Sequence, residues 1–312
     1  MARRRAVFIL SAEHSGSTWV GYVLGSHSQS AFLGEFYRGW HKELTQPCTI
    51  CWDRGLEACE LLHGFEDVPA EAAFEWAFER TRKSALVDTS KVTHWPRQGA
   101  ASLDDVDIRL IHLVRDPRGW FASRLRRNPA LNQEGALREW IAKNDEIHDF
   151  ARNSKVPCKT VFYEDIASDP IGTFPGIFRF LGLSFEAEAL QYWTKDHHGF
   201  AGNGATSMVL PRDPGEVKNV FFRTGDDAFY RRSRDTMFLD KRWKTELPDD
   251  AIASIMGNEE IAAHLARAGK RMTEDGIVDV RVSPMRRIIE RYLPRFAGAS
   301  GALRKRRRVS SF

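Results

Sequence analysis

The chain has 312 residues, 42% of them hydrophobic, with 46 Lys and Arg against 42 Asp and Glu and a formal net charge of +4 at pH 7. That length and apolar content can bury a large core, and no run of about twenty apolar residues is present, which excludes a membrane-spanning helix. Mild basicity suits a small anionic ligand without requiring nucleic acid. The apolar run after Arg3-Arg4-Arg5 is too short for a secretory signal, and the 4 cysteines then point to reduced thiols in the cytoplasm.

Ala6-Val7-Phe8-Ile9-Leu10 reads as a buried parallel strand, and Trp19 to Leu24 has helical spacing. Between them lies the polar turn Ser11-Ala12-Glu13-His14-Ser15-Gly16-Ser17-Thr18. A strand, a short turn and a helix start aim backbone N–H groups and a positive helix end at one point, which is a place for phosphate or a similar anion. An ordinary turn capped by Ser15 or Ser17 accounts for the same residues. Gly16 is followed by Ser17 and Thr18, so the lysine of a Walker loop is missing and a magnesium-nucleotide is disfavoured.

Further along, Phe32-Leu33-Gly34 reads as a short strand ending at Glu35, and the spacing predicts a helix over 70–83. Strands are expected at Ala85-Leu86-Val87-Asp88, 108–114 and 160–163, and helices at 135–152, 171–181 and 185–193. Pro117 suits the first turn of another helix with Asp116 as its cap. Residues 194–247 read mostly as loop, followed by helices near 250–268 and 284–292. The alternation implies one α/β domain over 1–296 with a parallel sheet. Its polar strand ends (Glu13 to Thr18, Glu35, Asp88 to Lys91, Arg115 and Glu164) are where such sheets bind ligands. The stretch 297–312 carries Arg304-Lys305-Arg306-Arg307-Arg308 and reads as a disordered tail, with a weak membrane-surface or polyanion contact as the alternative.

Arg115 ends a strand, and Ser123 lies in the helix that Pro117 opens, roughly 9 Å of helix rise beyond it. A guanidinium fork with a hydroxyl suits a phosphate monoester. The alternative is an Arg115 salt bridge to Asp116 or Glu164, with Ser123 merely packed.

Together these pieces resemble the sulfotransferase family that uses 3′-phosphoadenosine 5′-phosphosulfate. Glu13-His14-Ser15-Gly16-Ser17-Thr18-Trp19 is similar to its 5′-phosphosulfate loop, and Val114-Arg115-Asp116-Pro117-Arg118 with Ser123 to its 3′-phosphate motif. Val161-Phe162-Tyr163-Glu164-Asp165 followed by Phe180-Leu181-Gly182-Leu183 matches another recurrent stretch. Gly34-Glu35 and Asp88-Thr89-Ser90-Lys91 resemble the bacterial and tyrosylprotein branches most.

The resemblance implies a P-loop-like three-layer fold, a central parallel sheet flanked by helices. It implies sulfuryl transfer to a hydroxyl or amine of a carbohydrate, small molecule or peptide, without magnesium. Ser15, Gly16, Ser17, Thr18 and Trp19 would hold the 5′-phosphosulfate, Arg115 and Ser123 the 3′-phosphate, and Tyr163 the nucleotide. The segment from His197-His198-Gly199 through Ala205-Thr206-Ser207 would cover the cofactor, and Lys218 would contact phosphate from the later loop. Glu35 would be the general base, against a surface glutamate or a structural partner of Arg38, with His94, in Val92-Thr93-His94-Trp95-Pro96, as the rival and Lys91 near the sulfuryl group. His14 departs from the usual lysine or arginine. We expect it to protonate when the polyanion binds, so that affinity falls as pH rises past neutrality. A small-molecule kinase and a catalytically silent nucleotide- or polyanion-binding protein are the competing readings.

Cys48-x2-Cys51-x7-Cys59-x3-His63 has ligand types and spacing for a structural zinc, against three reduced thiols under a loop. Cys158 is expected to be simply buried. Phe36, Tyr37, Trp40 and Trp95 suit either an acceptor wall or the core.

Overall fold

The computed structural model describes residues 3–40, 48, 51, 55–100, 105–200 and 239–280. Five parallel strands form its centre: β1 (Arg4–Ser11), β2 (Ser30–Gly34), β3 (Ala85–Asp88), β4 (Val106–Val114) and β5 (Cys158–Phe162), in the order β2-β3-β1-β4-β5. Apolar strands buried on both faces are what a parallel sheet requires, and β1 alternates cleanly between them. Val7 and Ile9 pack on one side with Trp19, Val20 and Phe174, while Ala6, Phe8 and Leu10 pack on the other with Phe74, Trp95 and Ile147.

Those partners define three layers. On the first side lie α1 (Ser17–Gly25), α6 (Tyr163–Ser168) and α7 (Pro170–Phe180). On the second lie α2 (Ala73–Thr81), α3 (Trp95–Gly99) and α5 (Gln133–Ser154). The expected P-loop-like sheet with flanking helices is therefore present. Asp116 caps α4 (Pro117–Arg127), its Oδ1 accepting the Arg118 N–H at 2.9 Å with Pro117 in the first turn.

Several expectations need correction. Residues 185–193 form not a helix but two 3-10 turns, Ala187–Leu190 and Tyr192–Thr194. The span 250–268 is split by Gly257 into Asp249–Met256 and Glu259–Arg267. Tyr163 begins a helix instead of ending β5, and α3 was not foreseen. The predicted helix over 284–292 and the basic tail lie outside the described residues.

The chain falls into two compact units, Met1–Ile261 and Ala262–Phe312. The described part of the second contains an antiparallel hairpin, Lys270–Thr273 with Gly276–Asp279, closed by a Lys270–Asp279 ion pair at 3.0 Å. No helix among the described residues is long and apolar enough to cross a membrane.

Candidate functional site

The polar turn sits at the carboxyl end of β1. Gly16 takes φ 90 as the residue before α1, and no side chain caps the helix there. The reading of a turn capped by Ser15 or Ser17 is thereby overturned. Two of the turn's carbonyls are held by side chains: Trp120 Nε1 donates to the Glu13 carbonyl at 2.5 Å and Arg115 Nη1 to the His14 carbonyl at 2.8 Å. The first turn of α1 follows, and its N–H groups have no intrahelical acceptor. Beside it lies the Ser15 hydroxyl, buried with no hydrogen-bond partner among the described residues. An uncapped helix start at the carboxyl end of a parallel strand has the chemistry of an anion cradle. Gly16 is required for space as well as for its backbone, since a Cβ there would sit 2.9 Å from Tyr163 Cδ2.

Tyr163 therefore supports the loop from beneath. It is 3% exposed, its ring lies edge-on to Trp19 and under the Arg115 guanidinium, and its hydroxyl accepts the Asp240 N–H at 3.1 Å. Arg115 reaches past its sequence neighbours to a distant carboxylate, and its charge also acts on Glu164. Its Nη2 donates to Asp240 Oδ2 at 3.0 Å, and Arg242 and Arg126 approach the same carboxylate at 2.9 and 3.6 Å. Burial opposes the Asp240 charge, but Arg242, Arg115 and Arg126 outweigh it and hold its pKa well below the carboxylate range. Three arginines thus already close on one anion, the carboxylate of Asp240. Ser123 lies half-buried in α4. Asp116 pairs with the fully buried Arg118 at 2.6 Å, and Arg118 stacks over Trp243. Glu164 accepts the Asp116 N–H at 3.0 Å, and burial together with the Asp116 charge pushes its carboxyl up to about 8.

His14 occupies the left-handed region at φ 62. Burial first, then the charges of Arg127, Arg115, Arg124 and Lys91, pushes its pKa down to about 3. The ligand-free ring is neutral at physiological pH.

The second half of the site forms where β2 and β3 end. Thr89 N–H and Oγ1 both donate to the Gly34 carbonyl, at 2.8 and 3.0 Å. Asp88 Oδ1 accepts the Ser90 N–H at 2.6 Å and Oδ2 accepts Trp95 Nε1 at 3.0 Å, which fixes the bend. Burial pushes the Asp88 carboxyl up to about 6 despite those donors. Beyond the bend Lys91, at φ 62, sends Nζ to Glu35 Oε1 at 2.5 Å, while Arg38 Nε meets Glu35 Oε2 at 2.7 Å. Glu35 and Lys91 share a cavity of about 590 Å³ that also meets Ser11, Tyr37, Trp120 and Arg124. Ser11, Ala12 and Glu13 line it as well, so the first residues of the turn and the Glu35 carboxylate share one space.

His94 is exposed and its Nε2 lies 3.2 Å from the Tyr37 hydroxyl, behind a residue that lines the cavity. Of the aromatics, Phe36 and Trp95 are core and Tyr37 lines the cavity. The side chain of Trp40, and Ser207 and Lys218, lie outside the described residues.

A separate cluster forms from Cys48, Cys51 and Cys59, whose sulfurs and a histidine nitrogen all lie within 4.8 Å of one another. The histidine is His198. The expected fourth member, His63, is exposed, with its backbone N–H on the Cys59 carbonyl at 3.0 Å. The chain turns outward there, so nearness in sequence misled. Cys158 is half-buried on β5, and burial pushes its thiol up to about 11. Sequence reasoning missed His198, Asp240 and the Trp120 contact. Only the paired His197-His198 before a glycine offered any signal.

A family model described as the sulfotransferase domain matches residues 4–198. No curated protein matches the chain in sequence. Among solved structures, the chain is similar to a sulfotransferase domain from the curacin biosynthetic pathway, at 21% identity over 84% of this chain and 98% of that one, with a TM-score of 0.46. It is also similar to the sulfotransferase domain of the Synechococcus PCC 7002 olefin synthase, at 22% identity over 81% and 93%, with a TM-score of 0.44. A mouse sulfotransferase, SULT7A1, complexed with PAP, shows 13% identity over 93% and 90%, with a TM-score of 0.45.

Proposed function

The chain belongs to the sulfotransferase domain family, and from that membership we propose that it moves a sulfuryl group from 3′-phosphoadenosine 5′-phosphosulfate to an acceptor hydroxyl or amine. The uncapped start of α1, with the Ser15 hydroxyl orphaned beside it, is the observation that carries this reading. Ser15 to Trp19 receive the 5′-phosphosulfate. Arg115 and Ser123 receive the 3′-phosphate, and the gathering of arginines around Asp240 supports an anion there.

In the transfer, the acceptor oxygen or nitrogen bonds to sulfur as the bond from sulfur to the bridging oxygen breaks. The acceptor proton passes to Glu35, and the negative charge leaves on the bisphosphate. The N–H groups of the loop and Lys91 stabilise that charge where it develops. Glu35 fits the base because it lines the cavity, whereas His94 stands behind Tyr37. To take a proton it must loosen one of its two ion pairs, and an incoming phosphosulfate competes for Lys91. His14, neutral when the site is empty, enters as a hydrogen-bond donor and charges only if the polyanion raises its pKa by several units. Its effect on binding therefore moves below the neutral range that the sequence reading expected.

The cavity offers Tyr37 and Trp120 as apolar walls beside Arg38, Arg124, Glu139 and Lys143. These suit a polar acceptor bearing a ring, whether sugar, phenol or peptide. Gly16 is followed by Ser17 and not by a Walker lysine, which supports a transfer that needs no magnesium. Four cysteines outside any disulfide support a reducing, cytoplasmic setting. The test is a screen of acceptors with labelled donor in buffer with and without magnesium. Transfer that is indifferent to magnesium supports the proposal. A magnesium-dependent phosphoryl transfer would favour the kinase, and bisphosphate binding without transfer to any acceptor a silent binder.

A further inference from the structure

The cysteine cluster lies outside the transfer chemistry. Its three histidine-to-sulfur distances are those of a tetrahedral metal site. His198 Nδ1 stands 3.7, 3.4 and 3.5 Å from the sulfurs of Cys48, Cys51 and Cys59. With zinc–sulfur bonds of about 2.3 Å and zinc–nitrogen bonds of about 2.0–2.1 Å, the sulfur-to-nitrogen edge of a tetrahedron is about 3.6 Å. All three sulfurs are buried. The Cys51 N–H donates to Cys48 Sγ and the Leu62 N–H to Cys59 Sγ, each at 3.4 Å. Amide donors of that kind stabilise a thiolate and orient it as a ligand.

The cluster also has a mechanical connection to the cavity. Two residues beyond His198, Phe200 bridges β2 in parallel at Gly34 and Cys48 in antiparallel. Its N–H donates to the Leu33 carbonyl at 2.9 Å and its carbonyl accepts the Glu35 N–H at 2.6 Å. Gly34, at φ 74, permits this approach, since a Cβ would lie 2.2 Å from the Phe200 carbonyl oxygen. The backbone that carries Glu35 is therefore clasped by Thr89 on one side and by the Cys48–Phe200 segment on the other.

We propose that Cys48, Cys51, Cys59 and His198 bind one zinc ion, and that this ion locks the Phe200 segment against Gly34 and so positions Glu35. The ion is a clip with a closed ligand set; it takes no part in transfer. The metal site stands by itself, whereas its catalytic consequence rests on Glu35 as the base.

The experiment begins with metal analysis of the wild-type protein, purified without a histidine tag. We expect one zinc per chain, retained in His63→Ala and lost in His198→Ala. Wild-type protein with a metal content near zero overturns the site, and zinc retained in His198→Ala overturns its ligand set. Cobalt substitution supplies a check independent of the variants: tetrahedral cobalt–thiolate bands are expected, and an octahedral spectrum contradicts the site. Hydrogen exchange then tests positioning without needing an acceptor. On zinc removal the Glu35 amide should exchange at least tenfold faster while β1 and β4 amides stay protected, with reversal when zinc is restored. A uniform rise across all strands, or no change at Glu35, contradicts the positioning role.

Discussion

Residues 11–19 place the donor-side loop in one uninterrupted stretch, whereas the acceptor side draws Glu35, Lys91 and the Phe200 backbone from three separate parts of the chain. The donor loop takes its path from one strand end, one glycine and one helix start, and Arg115, Trp120 and Tyr163 then brace it. The acceptor side holds its carboxylate only because Thr89, Lys91, Arg38 and Phe200 all reach the end of β2. Damage to the first should therefore appear as lost binding, and damage to the second as lost chemistry or local looseness.

The strongest test of that division is Glu35→Gln. It should lower turnover by about 10²–10⁴-fold and leave affinity for adenosine 3′,5′-bisphosphate within a factor of two. Near-normal turnover in a radiolabel transfer assay would move the base elsewhere, and His94→Ala in parallel would show whether it moves there.

Arg115→Ala attacks the other side. Charge-assisted hydrogen bonds are worth about 1.5–3 kcal/mol, so bisphosphate affinity should fall roughly 10–100-fold by calorimetry. Unchanged affinity would remove Arg115 from the site.

Asp240→Asn sharpens the comparison. If the carboxylate competes with a phosphate for Arg115, Arg126 and Arg242, affinity should rise several-fold while the melting temperature falls. Weaker binding would make Asp240 a support of the cradle.

A pH series addresses His14, and His14→Asn tolerates the left-handed backbone. The wild-type advantage in bisphosphate affinity should grow as pH falls below about 6.5, as the bound anion lifts the pKa from about 3, and stay flat above neutrality. A constant advantage across the range would mean that the ring never charges.

The last test concerns stability. Glu164 is held neutral by burial, so its contribution is full at pH below the ordinary carboxylate range and declines as pH rises toward about 8. Glu164→Gln should flatten that decline in denaturant titrations from pH 5 to 8. An identical slope in the two proteins would show that the group is not buried as described.

The same contrast governs how much could be read from residue order. β1, the polar turn, Asp116-Pro117 and Arg115 are each signalled by neighbours, so periodicity and capping chemistry found them. Glu35 was identified by resemblance, but its clasp was invisible, because Gly34 reveals the need for close approach without naming Phe200 as the partner. His63 was chosen for nearness to Cys59, yet the fold brings His198 across from a distant stretch. Asp240 gave no signal at all, since an acidic residue among basic ones in a long loop has many ordinary explanations. The 3-10 turns at 187–194 escaped for a related reason: short apolar runs do not separate one helical turn type from another.

The most direct measurement is calorimetric titration of adenosine 3′,5′-bisphosphate into the wild-type protein in magnesium-free buffer. Saturable one-to-one binding that weakens in Arg115→Ala is the expected result. The absence of any binding would contradict the anion cradle at the start of α1, and with it the proposed donor.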